Sequence, residues 1–198
     1  MAKITHLTSA DYVRQPWRNG GGTTTELARD GVADRWLWRL SVADVDRSGP
    51  FSDFTGYRRI ITLLEGSGMT LSFDGAPPVV LDRRHRPFAF DGGMRTECTL
   101  LDGPIRDMNL IVDDAQAEAS LDVRVLEREA CWRIESSASA LLHAIAGRFD
   151  VAIDTHRVAL APGDTLRIDD GTASTISALA LDPSAVLAHA VIAHRHDR

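Results

Sequence analysis

Residues 36–42 read Trp-Leu-Trp-Arg-Leu-Ser-Val, which puts Trp36, Trp38, Leu40 and Val42 on one parity and Arg39 and Ser41 on the other. A period of two is that of a strand, whose successive side chains point to opposite faces. Runs of the same kind predict further strands at 59–64, 69–73, 96–101, 108–112, 121–126, 141–146, 149–153, 158–160 and 174–181, with Gly, Asp and Pro turns between them. So many short strands imply an all-β sandwich or barrel. Residues 184–194 stay open, because Asp182-Pro183-Ser184 suits a helix start while the apolar run suits a last buried strand.

The pattern repeats. Leu63-Leu64-Glu65-Gly66 is followed by 69–73, by Val79-Val80-Leu81 and by Phe88-Ala89-Phe90-Asp91-Gly92. Later in the chain the same order returns as Ala144-Ile145-Ala146-Gly147, Val151-Ala152-Ile153-Asp154, Val158-Ala159-Leu160 and 166–171. Each unit reads strand, glycine turn, strand, turn, short strand, turn, strand, so the chain divides into two similar halves. The polar stretch 113–119 is the expected junction, giving domains 1–113 and 114–198.

Composition adds limits. Hydrophobic residues at 44% and charged residues at 25% describe an ordinary globular chain. A formal charge of −6 argues against direct nucleic-acid binding, which calls for a basic face. No run approaches the roughly 18 apolar residues of a membrane-spanning helix, and 1–12 lacks the apolar core of a signal peptide. A cytoplasmic protein without a membrane partner is expected. Cys98 and Cys131 have no CxxC spacing and read as reduced, buried, structural thiols. Lys3 is the sole lysine, so almost every cation is a guanidinium able to grip a carboxylate with paired hydrogen bonds.

Leu160-Ala161-Pro162-Gly163-Asp164 resembles the L-x-PGD turn of the cupin superfamily, and two such units resemble a bicupin, two cupin-like β-barrels in one chain. Pro16-Trp17-Arg18-Asn19-Gly20-Gly21-Gly22-Thr23, running on to Glu26-Leu27, is similar to the signature of the HutD/Ves family. So are Trp38-Arg39-Leu40-Ser41-Val42-Ala43, Gly49-Pro50-Phe51-Ser52, Gly56-Tyr57-Arg58-Arg59, Leu63-Leu64-Glu65-Gly66 and Asp107-Met108-Asn109-Leu110. The resemblance implies a non-catalytic accessory or regulatory protein of bacterial histidine utilisation. Its implied partner is a small anionic metabolite, formylglutamate- or urocanate-like.

In metal-binding cupins an HxH pair and a glutamate precede the turn glycine, and a further histidine follows in the next turn. Aligned on Gly66, the glutamate position holds Arg59, and the HxH positions fall on Asp53 and Thr55 or on Ser52 and Phe54. The late histidine maps to Phe88 in the first half and to Leu166 in the second. A guanidinium cannot serve as a metal ligand. No metal and no cofactor are therefore expected. Arg59 shares parity with Ile61 and Leu63, which predicts a lumen-facing anion anchor, the alternative being a solvated arginine on a strand end. Asp107 and Asn109 share parity on another strand, as a pocket wall or a solvated face. The stretch 17–26, with Trp17, Arg18, Asn19, Gly20, Thr24 and Glu26, reads as a lid or rim, or else as a hairpin turn with Trp17 as a core anchor.

Arg39 completes the candidate ligand-binding set. The histidines, His6, His85, His143, His156 and His189, are scattered, and His194-x-His196 reads as a solvated tail. No catalytic nucleophile is visible, since no GxSxG elbow occurs. The favoured reading is a metal-free binding protein for a small carboxylate metabolite, seated in the N-terminal barrel. The C-terminal barrel is then structural or dimerising, and a homodimer is a candidate assembly. The alternative is a metal-free isomerase or hydrolase with Asp107 or Glu26 as general acid or base.

Overall fold

The computed structural model describes residues 3–32, 35–135, 138–169 and 174–195, and among these every regular element is a strand. Among the described residues no helix is long and apolar enough to cross a membrane. The chain forms two compact units, one of residues 13–117 (the N-terminal barrel) and one of residues 118 onward together with the residues up to Tyr12 (the C-terminal barrel).

Strand β1 (Lys3–Leu7) belongs to the C-terminal barrel. The N-terminal barrel holds β2 (Val13–Pro16), β3 (Gly22–Val32), β4 (Arg35–Val45), β5 (Gly49–Pro50), β6 (Tyr57–Glu65), β7 (Met69–Phe73), β8 (Ala76–Leu81), β9 (Phe88–Asp91), β10 (Thr96–Leu100) and β11 (Ile105–Asp113). These make a six-stranded sheet in the order β2-β3-β4-β11-β6-β9 and a four-stranded sheet in the order β5-β10-β7-β8. The C-terminal barrel continues with β12 (Ala117–Leu126), β13 (Glu129–Ile134), β14 (Ala138–Ala146), β15 (Phe149–Ile153), β16 (His156–Leu160), β17 (Thr165–Asp169), β18 (Ser174–Ala180) and β19 (Ala185–His194). Its sheets run β1-β17-β14-β19-β12 and β13-β18-β15-β16.

Laid side by side, β4-β11-β6-β9 matches β12-β19-β14-β17, and β5-β10-β7-β8 matches β13-β18-β15-β16. The expected repeat is therefore a repeat of whole topology, two cupin-like β-barrels. Its turn glycines agree. Gly66 has φ 92° and Gly147 φ 76°; a Cβ would lie 2.7 Å from the Pro104 carbonyl oxygen at the first and 2.6 Å from Ala185 Cβ at the second. Only glycine fits such a close approach at positive φ.

Two expectations need correction, and one open reading is decided. The division at 113/114 assigns the first dozen residues to the N-terminal half. Instead β1 pairs with β17 from Lys3↔Asp169 to Leu7↔Thr165, and the turn after β11 is closed by Asp113 Oδ1, which accepts from the N–H of Ala115 at 3.0 Å. Residues 185–194 form a strand paired to β14, so the helix alternative is excluded. Its even run of apolar residues reflects burial on both faces, Val186, Leu187, Ala188, Ala190 and Ile192 all being buried. Cys98 is buried as expected, its thiol pushed up to about 12 chiefly by desolvation, whereas Cys131 is exposed at the β13 edge. His196 and the last two residues of the second repeat, Asp170 and Gly171, lie outside the described residues.

Each lumen has its own apolar core. In the N-terminal barrel Ala43, Val45, Ile61, Leu63, Met69, Leu71, Phe90 and Ile105 cluster, with Phe88 packed against them. In the C-terminal barrel Leu142, Ala144, Phe149, Val151, Leu166 and Leu187 do so. Phe88 and Leu166, the two late-histidine positions, are thus packing residues.

Candidate functional site

The register of the six-stranded sheet stacks polar side chains into rows on its lumen face. Residues directly opposite each other on paired strands share a face. Arg39 on β4 lies opposite Ile111 on β11, which lies opposite Arg59 on β6, which lies opposite Phe90 on β9. The next row runs Glu26, Ser41, Asn109, Ile61, and the one after it Thr24, Ala43, Asp107, Leu63. Phe90, Ile61 and Leu63 belong to the core cluster, so each row ends against the apolar core. Arg59 therefore faces the lumen as its parity with Ile61 and Leu63 implies, and it is only 6% exposed.

Together the rows line a cavity of about 440 Å³, a size that suits a small metabolite. Trp17, Arg18, Asn19, Thr24, Glu26, Arg39, Arg59, Asp107 and Asn109 all line it. Gly20 does not. It makes the β2–β3 turn, with φ 65° and its N–H donating to the Trp17 carbonyl at 3.0 Å. The stretch 17–22 is thus a hairpin connection that is also a wall of the cavity. Trp17 Nε1 donates to Thr24 Oγ1 at 2.8 Å, and the indole packs against the core cluster, so the rim and core-anchor readings describe one residue.

Arg59 is held by directed contacts. Its Nη2 donates to Asn109 Oδ1 at 2.8 Å, and Asn109 Nδ2 in turn donates to Asp107 Oδ1. The guanidinium carbon lies 4.7, 5.1 and 5.3 Å from the ring centroids of Phe51, Phe90 and Phe54. Arg39 lies 5.4 Å from the same Phe54 ring and 5.0 Å from Trp36. Aromatic faces attract such cations without neutralising them. Both Nε atoms, of Arg39 and of Arg59, are shut off from solvent with no hydrogen-bond partner among the described residues.

Burial dominates the electrostatics. It pulls Arg59 down to about 10, against the attraction of Asp107, and lowers Arg39 as well; both stay cationic at neutral pH. Burial also pushes the Asp107 carboxyl up to about 7, with Arg59 and the Asn109 hydrogen bond pulling the other way. Asp107 is thus a carboxyl balanced between its two protonation states near neutral pH. A guanidinium beside an open cavity has the charge and the directed donors to pair with an anion.

Several lining residues escaped the sequence. Ser41, 2% exposed, shares parity with Arg39 and was legible by that rule. Phe51, Ser52 and Phe54 sit in the loop after β5, where parity gives no guide. Of the two placements of the HxH pair, Ser52 and Phe54 reach the cavity, while Asp53 Oδ1 accepts from Thr55 N at 2.8 Å and Thr55 Oγ1 at 2.7 Å in a local turn. Arg59, at the glutamate position, completes a set with no metal-ligating side chain.

Fold and site together define a two-barrel, cupin-like protein with an arginine-lined cavity in its N-terminal barrel. The HutD family model matches residues 9–187, and the chain belongs to that family. It is 44% identical over 144 residues to an uncharacterised 21.2 kDa protein in the hutC 3' region of Pseudomonas putida, covering 72% of this chain and 73% of that one. A conserved protein of unknown function from Pseudomonas aeruginosa PAO1 is similar over 96% of this chain and 99% of its own, at 39% identity and TM-score 0.90. HutD from Pseudomonas fluorescens SBW25, solved in a formate condition, is similar over 98% and 100% at 33% identity and TM-score 0.81.

Proposed function

We propose that the chain is a metal-free binding protein for a small carboxylate-bearing metabolite and acts as an accessory or regulatory protein of histidine utilisation. One observation carries the binding part. Two guanidiniums, the buried Arg59 and the half-buried Arg39, line one cavity with their Nε atoms unpartnered, and Arg59 is locked in place by Asn109. An anion entering the cavity offers acceptors to the guanidiniums that line it, in charge-assisted bonds. The pathway part rests on the company the chain keeps, a relative in the hutC 3' region and a HutD structure. The ligand class in view is formylglutamate- or urocanate-like, an anion of a size suited to the cavity. Calorimetric titration with a dicarboxylate and with its neutral amide tests this. The acid should bind and the amide bind far more weakly; equal affinities would dismiss the anion reading.

Asp107 favours a second reading. A buried carboxyl with its pKa raised to about 7, lining the same cavity as an arginine, is poised to give or take a proton. A metal-free isomerase or hydrolase would use it so. Glu26, the other carboxylate of the cavity, is held 3.4 Å from Arg29. Product formation during the same titrations, lost in Asp107→Asn, would establish turnover.

A further inference from the structure

The C-terminal barrel has its own enclosed polar pair, at the place its repeat makes equivalent to the N-terminal cavity. Asn109 lies opposite Ile61 on β6, and His189 lies opposite Leu142 on β14; Ile61 and Leu142 hold the same place relative to the matched glycines Gly66 and Gly147. By the same register Ala140 stands where Arg59 stands. The Phe51 N–H donates to Thr96 at the head of β10, and Trp132 pairs with Ile176, the matched residue of β18. Trp132 therefore takes the place of Phe51.

His189 is 8% exposed and shares its face with the core residue Leu142, so its ring points into the lumen. The rings of His189 and Trp132 lie 4.8 Å apart. His189 Nε2 and Trp132 Nε1 are both shut off from solvent, and neither has a hydrogen-bond partner among the described residues. Beside them the Arg124 guanidinium lies 5.9 Å from the Trp132 ring and already holds Asp122 through its Nε at 2.5 Å. A barrel core that only packs has no use for two unpartnered polar nitrogens on neighbouring rings.

We propose that the C-terminal barrel carries a second small-molecule site, built on His189 and Trp132, which takes an uncharged planar molecule with an amide-type edge. The edge follows from the atoms. An indole N–H only donates and so requires a carbonyl, while a neutral imidazole protonated on Nδ1 offers Nε2 as acceptor to an adjacent N–H. The absence of charge follows from the substitutions. Ala140 replaces Arg59, Leu187 replaces Asp107, and the charge of Arg124 is met by Asp122. Burial supports this by holding His189 neutral, well below its usual range.

The test uses the full-length chain, 15N-labelled and carrying Arg59→Ala so that the N-terminal anion anchor is absent. It is titrated with 2-pyrrolidinone, a lactam with a planar amide edge, and separately with acetate. The Trp132 indole N–H and the His189 ring nitrogens should shift together and saturate with the lactam but not with acetate. Trp132→Phe should weaken the effect on His189 by roughly tenfold or more. Should Trp132→Phe fail to fold, His189→Leu must abolish the saturable shift of the Trp132 indole. Unmoved resonances with both probes mean that the nitrogens meet water at most, and saturation by acetate alone means a charged ligand; either result overturns the proposal.

Discussion

Position for position, β6 and β11 of one barrel can be compared with β14 and β19 of the other. Where the first has Arg59, Asp107 and Asn109, the second has Ala140, Leu187 and His189. Sheet order, turn glycines and the apolar layer beneath are held in common. The difference lies in one polar layer at the same depth. A lumen-facing arginine is tolerable only with neighbours that accept its hydrogen bonds and cover its faces, and the N-terminal barrel supplies Asn109, Phe51, Phe54 and Phe90 together. The fold thus permits a charged cavity at this layer without requiring one.

Transplanting the arginine should give the largest effect. Ala140 is fully buried and opposite Ile168 and Val191, and Leu187 rather than a carboxylate stands where the first barrel has Asp107. Ala140→Arg should destabilise the protein by about 3–5 kcal/mol, the scale of an unpaired buried charge. Denaturant unfolding reads this directly. A change under about 1 kcal/mol, within the range of surface substitutions and mild core changes, would mean that the second lumen accommodates charge and that the layer comparison is mistaken.

The reverse change belongs to binding. Arg59→Ala should weaken a dicarboxylate by about 2–5 kcal/mol, and Arg59→Lys should recover only part, because a point charge does not reproduce the guanidinium fork. Calorimetry of the two variants beside wild type, with the acid and its amide, distinguishes loss of an anion contact from general damage. Equal affinities in all three proteins would move the anchor to Arg39 or Arg18.

How far this was legible depends on the kind of signal. Parity within a strand found Arg59, Asp107 and Asn109, since one buried neighbour fixes the face of every second residue. It also sufficed for Ser41. It could not place Phe51 and Phe54, whose loop has no period, nor β1, whose partner β17 is far along the sequence and whose addition has no counterpart in the other repeat. For β19 the period itself was absent, both faces being buried. The stretch 17–26 read as a lid or rim or else as a hairpin turn, and from Gly22 onward it is strand β3, paired with β4 through three threonines of good β-propensity. Ring contacts to the two arginines come from tertiary structure alone.

Trp17 offers a finer test of the first barrel, because its indole is both a cavity wall and half of a hairpin contact with Thr24. Trp17→Ala should cost about 1–3 kcal/mol in ligand binding, the range of an aromatic contact at a recognition site, while the fold survives. Thermal unfolding run beside the titration separates the roles. A variant that does not fold assigns Trp17 to the core, and one that binds normally assigns it to the turn.

Set against each other through pH, the two barrels should show the smallest net effect in wild type. Asp107 in the folded N-terminal barrel keeps its proton up to about 7, while the unfolded chain gives it up near 3.8. The folded state then holds the extra proton, so this group's contribution to stability is greatest in acid and declines as pH rises from about 4 to about 7. His189 in the C-terminal barrel works in the opposite sense. Its folded value is lowered to about 4 from 6.5, so the unfolded chain binds the extra proton, and stability declines as pH falls between those values. In wild type the two slopes oppose each other across their shared window. Asp107→Asn should leave the His189 slope, with stability rising from pH 4 to 6.5, whereas His189→Leu should leave the Asp107 slope, with stability falling toward pH 7. Denaturant unfolding across this range, taken as the difference between each variant and wild type, cancels the exposed groups common to all three. A flat difference profile for either variant would mean that the group it removes titrates in the folded protein as it does in water.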